Sequence, residues 1–144
     1  MEKKWQVTAG TPDAAVSLHL LIDNLVNSTL SAANHHQTNV INEVEQEIAL
    51  GAAMHRTITV IKDILHTVIA NSRHGDIHIT ANRFKEVVIL EIQERNNYNG
   101  YALAFSIGSI EPDAASVGGH ITIQGQQKKV ATISFSFPSY LLAA

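Results

Sequence analysis

Residues 63–80 read DILHTVIANSRHGDIHIT, and how this stretch divides decides the fold. Its first half places Ile64, Leu65, Val68 and Ile69 at helical spacing. Its second half alternates, with Ile77 and Ile79 on one face of a strand. Between them stand a polar residue, Asn71, and a glycine, Gly75. Gly75 is expected to stop the helix. Asn71 is either the last polar residue of a packed helix or a ligand.

Working outward towards the N-terminus, Met54, Ile58, Ile61, Leu65 and Val68 extend the apolar stripe and make this a deeply buried helix. Before it, NVINEVEQEI (residues 39–48) reads as a strand that turns outward through its charges. A first helix is expected from Val16, Leu18, Leu21, Ile22, Leu25 and Leu30, ending near Ala33 to His36. Thr11, Pro12 and Asp13 supply its start signals. WQVTA (residues 5–9) is a short strand candidate.

Towards the C-terminus, DIHITA and VVILEI form a hairpin across NRFKE. The turn-rich ERNNYNG follows. Residues 101–115 predict a short helix near Leu103 to Ile107, with Pro112 opening a second helical turn. GGHITIQG and KKVATISFSFP close the chain as another hairpin, with Ile133, Phe135 and Phe137 alternating. Helices and strands in this order predict an α+β fold. It is a two-layer α/β sandwich, with helices on one face of a mixed, mostly antiparallel sheet. One domain over residues 1–144 is expected.

Composition narrows the function classes. With 144 residues, 45% of them apolar, the chain has enough material for one real core. Zero cysteines exclude disulfides, thiolate catalysis and cysteine zinc sites. The net charge of −3 and scattered Lys and Arg argue against a nucleic-acid footprint, since the longest basic cluster is Lys128–Lys129. No apolar run is long enough to span a bilayer, and MEKKWQVTAGTPD lacks the apolar core of a signal. A cytoplasmic protein is expected.

The order of elements and a set of residues resemble the ATP-binding domain of sensor histidine kinases, the family shared with gyrase, Hsp90 and MutL. The resemblance runs from about Asp13 to Pro138. The family's N-L-L-x-N-A-x-K helix motif aligns with Thr67, Val68, Ile69, Ala70, Asn71, Ser72, Arg73 and His74. Its glycine and I-x-I strand align with Gly75, Ile77 and Ile79. Its D-x-G-x-G aligns with Glu94, Arg95, Asn96, Asn97 and Tyr98. Its closing G-G-x-I-x-V aligns with Gly118, Gly119, Ile121 and Ile123, and its G-T-x-F-x-F-x-L-P with Ile133, Phe135, Phe137 and Pro138, Val130 and Ala131 standing at the G-T pair. Of the glycine-rich lid, Gly100, Leu103, Ser106 and Ile107 match.

The hydrophobic frame fits this resemblance better than the chemistry does. Thr67 stands at the family's first motif position, and a threonine hydroxyl is no general base near neutral pH. Glu94 replaces the aspartate that reads adenine. Asn96 and Tyr98 replace glycines that let backbone approach the nucleotide, and Ala102 and Ala104 stand where lid glycines would be. The resemblance therefore implies a stand-alone domain with a degenerate ATP site, acting as a non-catalytic protein-interaction module in two-component or anti-sigma-like signalling. Its partner would be a kinase, a response regulator or a sigma-factor-like protein, with no nucleic acid and no membrane. Catalytic residues and cofactors are expected to be absent. The remodelled pocket near residues 96–101 is expected to be filled by Tyr98 and Phe105.

Two alternatives stay open. One is an active sensor kinase or anti-sigma-type kinase domain that binds ATP and magnesium. It would use Asn71, Glu94 and Gly100, with Asn71 on the metal. The other is a structural module forming a homodimer through the first helix or a sheet edge.

The remaining candidates are weaker. Eight histidines raise a metal hypothesis, but the adjacent His35 and His36 are expected to point apart, and His74 and His78 straddle a turn. His19 is read as a partly buried helix-face residue rather than a phosphoacceptor. Ser106, Ser109, Ser134 and Ser136 lack a triad pattern. Tyr98, Tyr101 and Tyr140 are candidates to line a groove.

Overall fold

The computed structural model describes residues 16–51 and 54–139. The strand expected at residues 5–9 and the start signals at Thr11, Pro12 and Asp13 lie outside them. In chain order the elements are β1 (Val16–Ser17), α1 (Leu18–Ser28), α2 (Leu30–His35), β2 (Asn39–Asn42), β3 (Ala49–Leu50) and α3 (His55–Ala70). They continue with β4 (Asp76–Phe84), β5 (Val87–Glu94), α4 (Gly100–Gly108), α5 (Glu111–Ser116), β6 (His120–Gln124) and β7 (Ala131–Pro138).

Five strands form one sheet in the order β2-β4-β5-β7-β6. Only the β2–β4 pairing is parallel. The others are antiparallel. The sheet is thus mixed and mostly antiparallel, as expected. Alternation sets the inner face: Ile77, Ile79, Val88, Leu90, Ile92, Ile133, Phe135 and Phe137 are all buried. Against it lies α3, burying Val60, Ile61, Ile64, Leu65, Val68 and Ile69. Each such side chain stabilises by about 1.5–3 kcal/mol, so this contact anchors the domain. Thr132, Ser134 and Ser136 alternate onto the opposite face of the sheet.

Several boundaries differ from the sequence reading. Val16 is not helical; it pairs with Leu50 in a small second sheet. Ser17 caps α1, its hydroxyl accepting from the Leu20 amide at 3.3 Å. At Thr29 the helix breaks, because the hydroxyl donates to the Val26 carbonyl at 2.8 Å and competes with the backbone ladder. The strand expected over residues 39–48 stops at Asn42. Beyond it, Val44 and Ile48 anchor a loop by burial while Glu43, Glu45 and Glu47 stay in water.

The hairpin turn is only Lys85–Glu86, with Lys85 in the left-handed region at φ 57°. Phe84 and Val87 already pair, so most of NRFKE is strand. The two short helices near Leu103 and Pro112, and the closing hairpin, form as expected.

Candidate functional site

Three residues singled out by sequence, Asn71, Glu94 and Gly100, come to the same end of the sheet. The helix α3 ends on Asn71, not on Gly75. Asn71 caps its own helix: its Nδ2 donates to the Thr67 carbonyl at 2.9 Å. Its Oδ1 remains as one neutral oxygen. The left-handed residue after the helix is His74, at φ 54°. The role first given to Gly75 is therefore corrected: it does not stop α3.

Gly75 is needed for space. A Cβ there would lie 2.5 Å from Glu94 Oε2 and 3.0 Å from Ser72 Cβ. Around it a buried seam joins three loops. The Thr38 and Ser72 hydroxyls lie 2.7 Å apart. The Gly75 amide donates to Thr38 Oγ1 at 3.3 Å.

Glu94 ends β5 and is only 3% exposed. Burying a carboxylate is costly unless it is hydrogen-bonded. Oε1 accepts from the Asp76 amide at 2.9 Å and the Asn96 amide at 3.1 Å. Oε2 is buried with no partner among the described residues. Such an orphan acceptor calls for a donor.

Gly100 begins α4 beneath the turn between β6 and β7. A side chain there would collide with the Gln126 carbonyl. Asn97 holds the turn in place. Its amide donates to the Lys129 carbonyl at 2.7 Å. Its Nδ2 donates to the Lys128 carbonyl at 2.9 Å and the Gln126 carbonyl at 3.2 Å. Sequence reasoning gave Asn97 no role; its contacts are long-range and leave no local pattern.

Tyr98 and Tyr101 line an open cavity of about 400 Å³ with Gly100, Gln126, Lys128 and Lys129. This bears out a groove for two of the three tyrosines; Tyr140 lies outside the described residues. The Arg73 guanidinium sits 5.9 Å from the centre of the Tyr98 ring, at cation–π range. Tyr98 and Phe105 do not fill a pocket, contrary to expectation: they are 58% and 85% exposed. Leu103 and Ile107 take the buried side of α4, which leaves Phe105, with Tyr101, on the other; Tyr98 precedes the helix and lies beside the Arg73 guanidinium.

The histidines divide into two kinds. His35 and His36 have ring centres 5.4 Å apart and both line one cavity with Gln37, Arg73 and His74, while His36 also borders a second cavity with His66. Among the described residues no group of three His, Asp or Glu is placed to hold a metal ion. His19 is structural: Nδ1 lies 2.6 Å from the Val44 carbonyl and Nε2 lies 3.3 Å from Asp23. His78 sits between Glu43 and Asp76, each 3.0 Å away.

No family model and no curated protein matches this sequence. Solved structures do match its fold. Acinetobacter baumannii histidine kinase AdeS superposes with a TM-score of 0.71 at 10% identity, covering 88% of this chain and 66% of that one. The nucleotide-free catalytic domain of histidine kinase ThkA gives 0.66 at 15% identity, covering 88% and 97%. Full-length ShkA in complex with AMPPNP gives 0.74 at 14% identity, covering 92% of this chain and 32% of that one. The chain therefore has the histidine kinase-like ATPase-domain fold. It spans two thirds or less of AdeS and ShkA, and nearly all of the ThkA catalytic domain.

The fold implies ATP and magnesium, and the residues fit the two unequally. At one end, the partnerless Glu94 Oε2 has the chemistry to accept from a nucleobase amino group, but it is buried against Gly75 and such a donor reaches it only if the two part. At the other, magnesium is ordinarily held by carboxylates together with substrate phosphates. Asn71 offers a single neutral carbonyl oxygen, and among the described residues no group of three His, Asp or Glu is placed to hold a metal ion with it.

Proposed function

We propose that this chain, taken as one domain over residues 1–144, is a non-catalytic protein-interaction module of two-component-type signalling in the cytoplasm, with a degenerate ATP site. The carrying observation is the thin donor set at the end of α3: Asn71 offers one neutral oxygen, and among the described residues no group of three His, Asp or Glu is placed to hold a metal ion. Asn71 caps its own helix, and Asn97 ties the β6–β7 turn over the start of α4. Among the described residues no helix is long and apolar enough to cross a membrane, which accords with this reading.

A protein partner is the natural ligand of such a module: a kinase, a response regulator or a sigma-factor-like protein. One structure of similar fold, ThkA, is in complex with the response regulator protein TrrA.

Thermal-shift titration with ATP and ADP, with and without magnesium, tests the reading. A ligand at a hundred times its dissociation constant stabilises the folded state by about 2.7 kcal/mol. No shift is expected at millimolar nucleotide. A magnesium-dependent shift that disappears in Asn71→Ala overturns the proposal.

The orphan Glu94 Oε2 favours one second reading, a domain that keeps ATP through its adenine end. Its sign is a magnesium-independent shift lost in Glu94→Ala.

A further inference from the structure

The sequence between Arg95 and Glu111 contains no charged residue. In the fold it supplies α4, a helix that is apolar nearly all round yet buries only one side. A helix of that composition is normally enclosed. Here Tyr98, Tyr101 and Phe105 are 58%, 68% and 85% exposed. Tyr101 and Phe105 are one helical turn apart, on one face. Exposed aromatics without charges are the composition of an interface core, and aromatic anchors supply most of the binding energy of such contacts.

The charges flanking this stripe are of opposite sign. At the N-terminal end of α4 stand Lys128 and Lys129, lining the same cavity as Tyr98 and Tyr101. Arg73 lies there too, over Tyr98. At the C-terminal end α5 begins, with the exposed acids Glu111 and Asp113 in its first turn; Asp113 shares a cavity with Arg56 of α3, which leaves Glu111 as the outward acid. A surface that is basic at one end, aromatic in the middle and acidic at the other complements a copy of itself laid antiparallel. That is the geometry of an isologous twofold contact.

We propose that the α4 face joins two copies of this chain about a twofold axis near Phe105. The basic end of each copy meets Glu111 of the other. The assignment rests on the non-catalytic reading, because a face closed by self-association borders the degenerate site. Six aromatic side chains and their surroundings would bury roughly 1,000 Å², at the lower bound for specific interfaces. The dimer is therefore reversible, with a dissociation constant on the order of micromolar.

Sedimentation of the full chain across the micromolar range tests this, with each variant's melting temperature as a folding control. A reversible monomer–dimer equilibrium is expected. Phe105→Ala should weaken it about tenfold or more without changing the melting temperature of dilute, monomeric samples, since the side chain is already in water there. Lys128→Glu and Glu111→Lys should each weaken it, and the double variant should regain most of the loss. A chain that stays monomeric overturns the proposal, including one that uses this face for another protein. So does a dimer indifferent to Phe105→Ala, or a double charge swap no better than the singles. Nucleotide added to the same samples scores the non-catalytic reading separately: a magnesium-dependent thermal shift fails that reading, whereas the association data alone decide the dimer.

Discussion

Gly75 and Glu94 fit each other by the absence of one carbon atom: a Cβ on Gly75 would sit 2.5 Å from Glu94 Oε2. The carboxylate could not move away without releasing the Asp76 and Asn96 amides that its other oxygen holds. Two positions nineteen residues apart in sequence are thus one feature of the fold.

Gly75→Ala should destabilise the domain by about 1–3 kcal/mol, the usual cost of overpacking. In a Glu94→Ala background the same change should cost much less, because the colliding oxygen is gone. Chemical denaturation of the two singles and the double gives the coupling energy. Additive losses would show that the two residues do not meet.

Asn71→Ala removes one partly buried hydrogen bond to the Thr67 carbonyl. The expected loss is about 1 kcal/mol or less, because such a bond has small net worth. A much larger loss, measured by urea unfolding, would assign Asn71 a wider structural part than a helix cap.

Asn97→Ala should cost about 1–2 kcal/mol, since two side-chain hydrogen bonds hold the β6–β7 turn. Its local effect is more diagnostic. Hydrogen exchange should accelerate across residues 125–130 while the amides of β4 and β5 stay protected. Unchanged exchange in the turn would mean that the Asn97 backbone bond alone secures it.

Arg83 reaches from β4 to the carbonyls of Lys85 and Ser139, at 3.0 and 2.9 Å, and to the Ala49 carbonyl. It ties β3 and the end of β7 to the central hairpin. Arg83→Lys should fail to restore what Arg83→Ala loses, because one ammonium cannot reproduce the planar fork. Equal melting temperatures for the lysine variant and wild type would refute this.

Ile64→Ala should cost about 2–5 kcal/mol, as expected of a fully buried aliphatic chain between helix and sheet. Thermal unfolding measures it directly.

The sequence by itself determined the layers. The stripe from Ile58 to Val68 made α3 a buried helix, and alternation in DIHITA, VVILEI and ATISFSF made each strand one-sided. These patterns are short-range, so a linear reading captures them. It also carried the family likeness at Asn71, Gly75 and Glu94. It misjudged where elements end, because Val16 pairs with Leu50 and Thr29 breaks a helix through contacts that periodicity does not encode. It misread Gly75 as a helix stop for the same reason: only the packed structure brings the Glu94 carboxylate against it.

Tertiary structure alone decided which side chains face water. Phe105 has the composition of pocket filling, yet Leu103 and Ile107 already occupy the core side of α4. Burial depends on which face of an element has a neighbour, and that is settled only when the whole chain has packed.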